Sequence, residues 1–446
     1  MKVRNKLVSI VFSVIVILFF LSFTGCAEMQ ALLNPGPAEY VPDSLINRDA
    51  DYTWEVTSLE TWNAAISGIN KAGEDKKHII SISRNFAIHN FIEFDPANIA
   101  VILEGNVTLQ LQDTGMGRNN LTVKNKQAIT IRDLKLQGMR KNDGSLINIS
   151  PGGTFIMEGN ATVSGNNNIS DYSSPQGTKG GGVIDYGICT MKDNATVTDN
   201  SATIGGGLYI YGGTLTMSDN AMISNNSAGN AGGGVYLAGG TFNIMNNATV
   251  SGNKATGGLV SNLDEAGGGI YILAGILNMW DNASISGNSA INGGGVCCGD
   301  SNNITFNMKG GSISGNTSIY VGGGVCAQGG YFNMEDGVIS GNHSTNAQGG
   351  GVYLTAGGIF FNKTGGIIYG SDVDPNLRNT ATTNIGCAII RDAGVGYNVA
   401  TSTPAYWRNS TAGPDLKVNT TPLNPDDPVF WESEGVTPNT TVPNLR

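Results

Sequence analysis

A glycine triplet that returns seven times constrains this chain more than anything else in it. The triplets begin at Gly180, Gly205, Gly232, Gly267, Gly293, Gly322 and Gly349, at offsets of 25, 27, 35, 26, 29 and 27 residues. Behind each comes a short apolar run such as Val235-Tyr236-Leu237, then a small turn, then a second run holding an alternating pair. Those pairs are Cys189/Met191, Leu215/Met217, Phe242/Ile244, Leu277/Met279, Phe306/Met308, Phe332/Met334 and Phe361/Lys363, with Phe155/Met157 in a unit ahead of the first triplet. A turn dipeptide such as Asp193-Asn194 or Asp281-Asn282 follows, made of residues that tolerate positive φ and hydrogen-bond their own backbone. A third run then reaches Val163, Val197, Ile223, Val250, Ile285, Ile313 and Ile339, and three residues beyond each stands Asn166, Asn200, Asn226, Asn253, Asn288, Asn316 or Asn342.

Period-two alternation puts the Phe/Met and Val/Ile positions on one face and Thr, Ser and Asn on the other. A unit this small cannot bury its apolar face alone, but stacked copies can, each residue lying over its predecessor at roughly 4.8 Å. The predicted fold is therefore all-β: a right-handed parallel β-helix solenoid with three short strands per coil. Propeller repeats are about 40 residues long and carry four strands, so units of this size favour the solenoid. The asparagine column predicts an amide ladder at a tight corner, in the left-handed conformation that Asn tolerates. The glycine column predicts close backbone packing at another.

A stack needs ends. Residues 57–71 read as an amphipathic helix, with Thr57 and Glu60 as a capping box, Leu59, Trp62, Ile66 and Ile69 on one face, and Gly73 as terminator. Laid over the first coil, such a helix covers an open sheet edge. The chain divides accordingly into a cap with irregular first coils (52–150), the triplet body (151–370), a last coil and C-terminal cap (371–410) and a polar, partly disordered tail (411–446).

Units of the form [VI]-[ST]-G-N followed by G-G-G-[VIL] resemble the repeats of chlamydial polymorphic membrane proteins, and more generally the pectin-lyase-like parallel β-helices. They look closest to the repeat lipoproteins of spirochaetes. The resemblance covers about residues 52–410 and departs from the chlamydial pattern in carrying Val/Ile for Phe and GGG for GGA. It implies an adhesive passenger; the membrane barrel of that family has no counterpart in the short stretch after residue 410.

The beginning of the chain fits an anchored passenger. Lys2, Arg4 and Lys6 precede an apolar run from Leu7 to Phe23 and then Thr24-Gly25-Cys26. This resembles a lipoprotein signal peptide over 1–25, with Cys26 as the acylated residue, although Phe23 stands where that pattern prefers Leu. Residues 26–51, punctuated by Pro35, Pro37 and Pro42, read as a tether. The expected location is the bacterial cell envelope, membrane-anchored and surface-exposed on the outer membrane. A net charge of −10 without basic clusters argues against nucleic acid as a partner.

Catalysis by a parallel β-helix on acidic polysaccharide needs paired carboxylates, or a carboxylate-bound cation with a basic residue beside it. Between Pro151 and Gly370 there is no Arg, the one His is His343, and the regular carboxylates Asp193, Asp219, Asp281 and Asp336 occupy turn positions. Arg132 and Asp133 lie in a stretch that reads as ordinary coil. No catalytic set, cofactor or metal site is predicted, and the chain is expected to be a non-catalytic, adhesin-like or structural monomer that binds carbohydrate or host protein. A polysaccharide lyase or glycosidase is the alternative. Binding is expected at the long loops Asn167–Lys179 and Lys254–Ala266, and Tyr209, Tyr236, Tyr271 and Tyr353 beside them read either as an outward ladder that can hold a sugar or peptide or as simple edge packing between coils. Cys297 and Cys326 share that register, which predicts an inter-coil disulfide or two adjacent thiols. Cys189 and Cys298 fall at inward positions. The Asn-Ala-Thr triplets read as turn-plus-strand residues rather than glycosylation sites.

Overall fold

The computed structural model describes residues 41–391, except 112–119, 140–141, 143, 169–177, 258–265, 347, 356–358, 371–374 and 383–388. The chain winds into a right-handed parallel solenoid of about 11 turns with three sheets. Consecutive coils stay in register: Phe155, Cys189, Leu215, Phe242, Leu277, Phe306, Phe332 and Phe361 form one continuous column. A representative coil places Val235–Leu237 in a 10-stranded sheet, Thr241–Ile244 and Thr249–Ser251 in a 21-stranded sheet, and Lys254–Ala255 in an 8-stranded sheet. These are called the second, first and third sheets below. The short inter-coil segments Ser201–Ile204 and Ser289–Asn292 are strands of the third sheet.

The asparagine ladder is present. Asn253 donates from Nδ2 to Asn288 Oδ1 at 3.0 Å and to the Ile223 carbonyl at 3.0 Å, while its backbone N–H donates to the same Asn288 oxygen at 2.9 Å. The pattern repeats through Asn200, Asn226, Asn288, Asn316 and Asn342, all buried, and ends on Asn379. From Asn226 to Asn342 each amide thus makes two donor and two acceptor bonds, which is what lets so polar a group sit in a dry interior. The left-handed residue is the one before the ladder, a correction to the expected placement: Gly165, Asp199, Asn225, Gly252, Gly287, Gly315 and Gly341 have positive φ. That explains the Gly-Asn pairing in the repeat.

The triplet glycines have three separate jobs. Gly205 turns the chain at φ 62°. A Cβ on Gly206 would lie 2.3 Å from the Ser227 carbonyl oxygen of the third sheet, and one on Gly207 would lie 3.0 Å from the Asn226 amide. The triplet is where the second and third sheets come too close for any side chain.

Inside the coils the Phe, Leu, Met, Val and Ile columns are fully buried as one core. Phe306 stacks on Phe332 with ring centroids 4.6 Å apart. Over the first coils lies a helix at Leu59–Ala72, which we call α2 because a short α1, Asp43–Ile46, precedes it. Its N-cap is Ser58, boxed with Thr61, one residue later than the expected Thr57/Glu60 pair. Trp62, Ala65 and Ile69 are buried against the core, with Leu59 and Ile66 packed beside them. Residues 41–46, counted from sequence with the tether, lie on the outer surface: Val41 and Leu45 pack on Ala100 and Ala128, and Lys77 Nζ holds the Ile46 carbonyl at 2.7 Å. Near the far end Lys363 ends the Met column, its ammonium donating to the Gly366 carbonyl at 2.8 Å, and burial lowers its pKa to about 8.

Candidate functional site

The expected outward tyrosine ladder is not a surface. Tyr209, Tyr236, Tyr271 and Tyr353 do share one register with Ile184, Cys297 and Cys326. They point away from the main core, yet are only 3 to 6 % exposed. The third sheet covers them, with Ala231, Val321 and Ile204 packed on the rings. Tyr236 lies 5.5 Å from Tyr209 and 5.0 Å from Tyr271, so the column is a second apolar seam rather than a binding face. Cys189 and Cys298 lie in the main core, as the alternation implies.

Exposed aromatic groups occur elsewhere. Tyr211, 49 % exposed, meets Tyr186 edge-on at 5.9 Å and lies parallel to Tyr209 at 6.4 Å. Tyr211 and the half-buried Tyr186 each sit between a second-sheet strand and its turn glycine, beside the edge of the third sheet. Farther along, Tyr331 stacks on Phe360 at 5.1 Å on the outer face of the first sheet. Alternation would have found this second pair, because Phe332 and Phe361 point inward.

Charge collects at one place the repeat does not advertise. Register aligns Glu55 with Ser81, Ser81 with Glu104, Glu104 with Arg132 and Arg132 with Glu158 on successive coils. Arg132 bonds Glu104 at 2.9 Å and Glu158 at 2.5 Å, and Lys192 of the next coil reaches Glu158 at 2.9 Å. Ser81 Oγ donates to Glu104 at 3.1 Å. Burial works against ionisation of Glu158, but hydrogen bonds from Lys192 and Arg132 hold its carboxyl below the usual range. Beside this column opens a cleft of about 480 Å³ lined by Glu55, Ser81, Ser83, Glu104, Asn106, Arg132, Asp133 and Asn160. Asp133 is tied to Asn160, accepting from its backbone N–H at 2.8 Å and its amide at 3.0 Å. The stretch around Arg132 therefore differs from ordinary coil.

The turn aspartates also do more than tolerate positive φ. Asp193, Asp219 and Asp281 accept backbone N–H bonds from Gly159, Asp193 and Asn246 of a neighbouring coil at 2.9, 3.1 and 2.9 Å. The Asp193 N–H is the main reason the Asp219 carboxyl lies below its ordinary pKa. Among the described residues, no three His, Cys, Asp or Glu converge as a metal site. Cys26 and the bulk of both long loops, 169–177 and 258–265, lie outside the described residues. No family model matches the chain, and comparison with curated proteins and solved structures gives no match either.

Proposed function

We propose that this protein is a non-catalytic, adhesin-like surface lipoprotein, tethered through acylated Cys26, that binds a carbohydrate or a host protein on the outer face of its first coils. The cleft at Arg132 carries this reading. Its one lining cation, Arg132, is already paired with Glu104 and with Glu158 beside the cleft, and Asp133 is held by Asn160, which leaves a concave, acidic surface of hydroxyl, amide and carboxylate groups. Such a surface matches the alternating donors and acceptors of a saccharide better than it matches a single charged group. The rigid stacked coils hold that surface without needing to order it on binding, which lowers the entropic cost of association.

A second reading is supported by the same cleft. Glu55, Glu104 and Asp133 line it beside Arg132, and paired carboxylates are what glycoside cleavage requires. A glycan array combined with a reducing-sugar assay separates the two. Binding that weakens at least tenfold in Asn160→Ala, without product release, is the expected result. Release of sugar ends by the wild-type chain that is lost in Glu104→Gln would replace the binding reading with the enzymatic one. For the anchor, Cys26→Ser is expected to leave the membrane fraction; retention there through acylation would refute it.

A further inference from the structure

The second seam contains one feature that its packing role does not use. Tyr209, Tyr236 and Tyr271 lie ring against ring on successive coils, but the next two coils place Cys297 directly over Cys326. Parallel neighbours in register lie about 4.8 Å apart, inside the range of roughly 4.4–6.8 Å that a disulfide spans between Cα atoms. Both are free thiols, fully buried side by side on adjacent strands. Alternation sets aside the adjacent thiol: Cys298 points the opposite way, into the main core, over Ala327.

We propose that Cys297 and Cys326 are an oxidation site that closes to an inter-coil disulfide when the chain folds in the presence of a disulfide oxidant. In this reaction one cysteine thiolate attacks a sulfur of the oxidant and expels its first thiol. The other cysteine then attacks the mixed disulfide and expels the second. Two electrons and two protons pass from the cysteines to the oxidant, which leaves as two thiols. The bond would enclose one whole coil and lock its neighbour onto it. In the finished fold, the neighbouring Cys326 thiol and burial push the Cys297 thiol far above its ordinary range. Thiolate is then scarce and the oxidant has no access, so exchange belongs to folding, before the third sheet closes over the seam. None of this depends on the ligand proposed above.

The test is to refold the full chain in a glutathione redox buffer, trap free thiols with N-ethylmaleimide under denaturing conditions and map the peptides without reduction. The expected product links Cys297 to Cys326 and leaves Cys189 and Cys298 alkylated. In Cys298→Ala the link persists; in Cys297→Ala it disappears and Cys298 does not take its place. Reductant is expected to lower the thermal midpoint of the wild type by several degrees and to leave the Cys297→Ala/Cys326→Ala double variant unchanged. Recovery of both cysteines as maleimide adducts from the refolded wild type would overturn the proposal, as would a Cys298–Cys326 link. The wild-type map decides the matter even where a variant fails to fold.

Discussion

At the scale of the residue, this fold depends on buried polar groups having partners on the coils above and below. Asn288→Ala removes the acceptor of both Asn253 donors, and the donor to Val250 and Asn316. Leaving such groups buried and unpaired costs about 1–3 kcal/mol each, so a loss of roughly 3 kcal/mol or more in denaturant unfolding is expected. A loss below about 1 kcal/mol would mean that the ladder is not what holds the corner. Asp185 is the opposite case. It stands in the inward column between Ile149 and Ile210, fully buried, with one carboxylate oxygen lacking a partner and the other accepting the Gly187 N–H. Burial raises its pKa from 3.8 to about 7 despite that bond. Between those values the folded chain holds a proton that the unfolded chain has released, so stability falls as pH rises from about 4 to about 7 and is level above. The penalty at neutral pH is on the order of 4 kcal/mol. Asp185→Asn keeps the acceptor for Gly187 but cannot ionise. Its unfolding midpoint is expected to vary much less than the wild type's between pH 5 and pH 8, and an equally steep wild-type and variant profile would refute the assignment.

Among the elements, α2 offers the clearest contest between local and tertiary preference. Gly68 lies mid-helix, where replacing it by Ala should gain up to about 1 kcal/mol in helix propensity. A Cβ there, however, would come 2.1 Å from the Trp54 ring, on the strand Tyr52–Val56 that the helix covers. Gly68→Ala is therefore expected to destabilise the N-terminal cap and shift tryptophan emission to the red; a raised thermal midpoint would show that the helix does not bear on Trp54. The sequence announces α2 through the spacing of Leu59, Trp62, Ile66 and Ile69, and announces the strands of the first and second sheets through columns of Phe, Met and Val/Ile. Its helix cap is displaced by one residue because Thr57, Ser58 and Thr61 can each fill a capping role, and only the backbone decides among them. Ser227-Ala228-Gly229-Asn230 looks like a loop because a strand pressed against the glycine triplet needs small residues, and small polar residues also make turns. That hidden strand is why the tyrosines read as exposed. The charged cleft was illegible for a different reason. Glu55, Glu104, Arg132 and Glu158 belong to coils without triplets, and nothing short of the strand register shows that they stack.

For the whole molecule, a solenoid has no contacts between distant coils, so its stability is close to a sum over neighbouring coils. A defect should then divide the molecule instead of melting it uniformly. Ile285 is fully buried in the inward Val/Ile column, in register with Val250 before it and Ile313 after it. Ile285→Asp places a carboxylate in that column with no cation in the core beside it, which costs several kcal/mol at neutral pH or forces the group to take up a proton. The interfaces on either side of this coil weaken, while those between the capped first coils are untouched. Hydrogen exchange followed by mass spectrometry is expected to show protection lost from about Thr249 onward and retained near Val56, Ile80, Val101 and Ile129, all buried in the first coils. Limited proteolysis should release a resistant N-terminal fragment. The C-terminal coils, separated from the helical cap, are expected to lose protection along with the damaged coil, unless the Cys297–Cys326 bond holds two of them together. Uniform loss of protection from end to end would mean that the coils fold as one cooperative unit. The cleft at Arg132 would then depend on coils far along the axis, whereas linear coupling predicts that the Ile285→Asp chain still binds its ligand with near wild-type affinity.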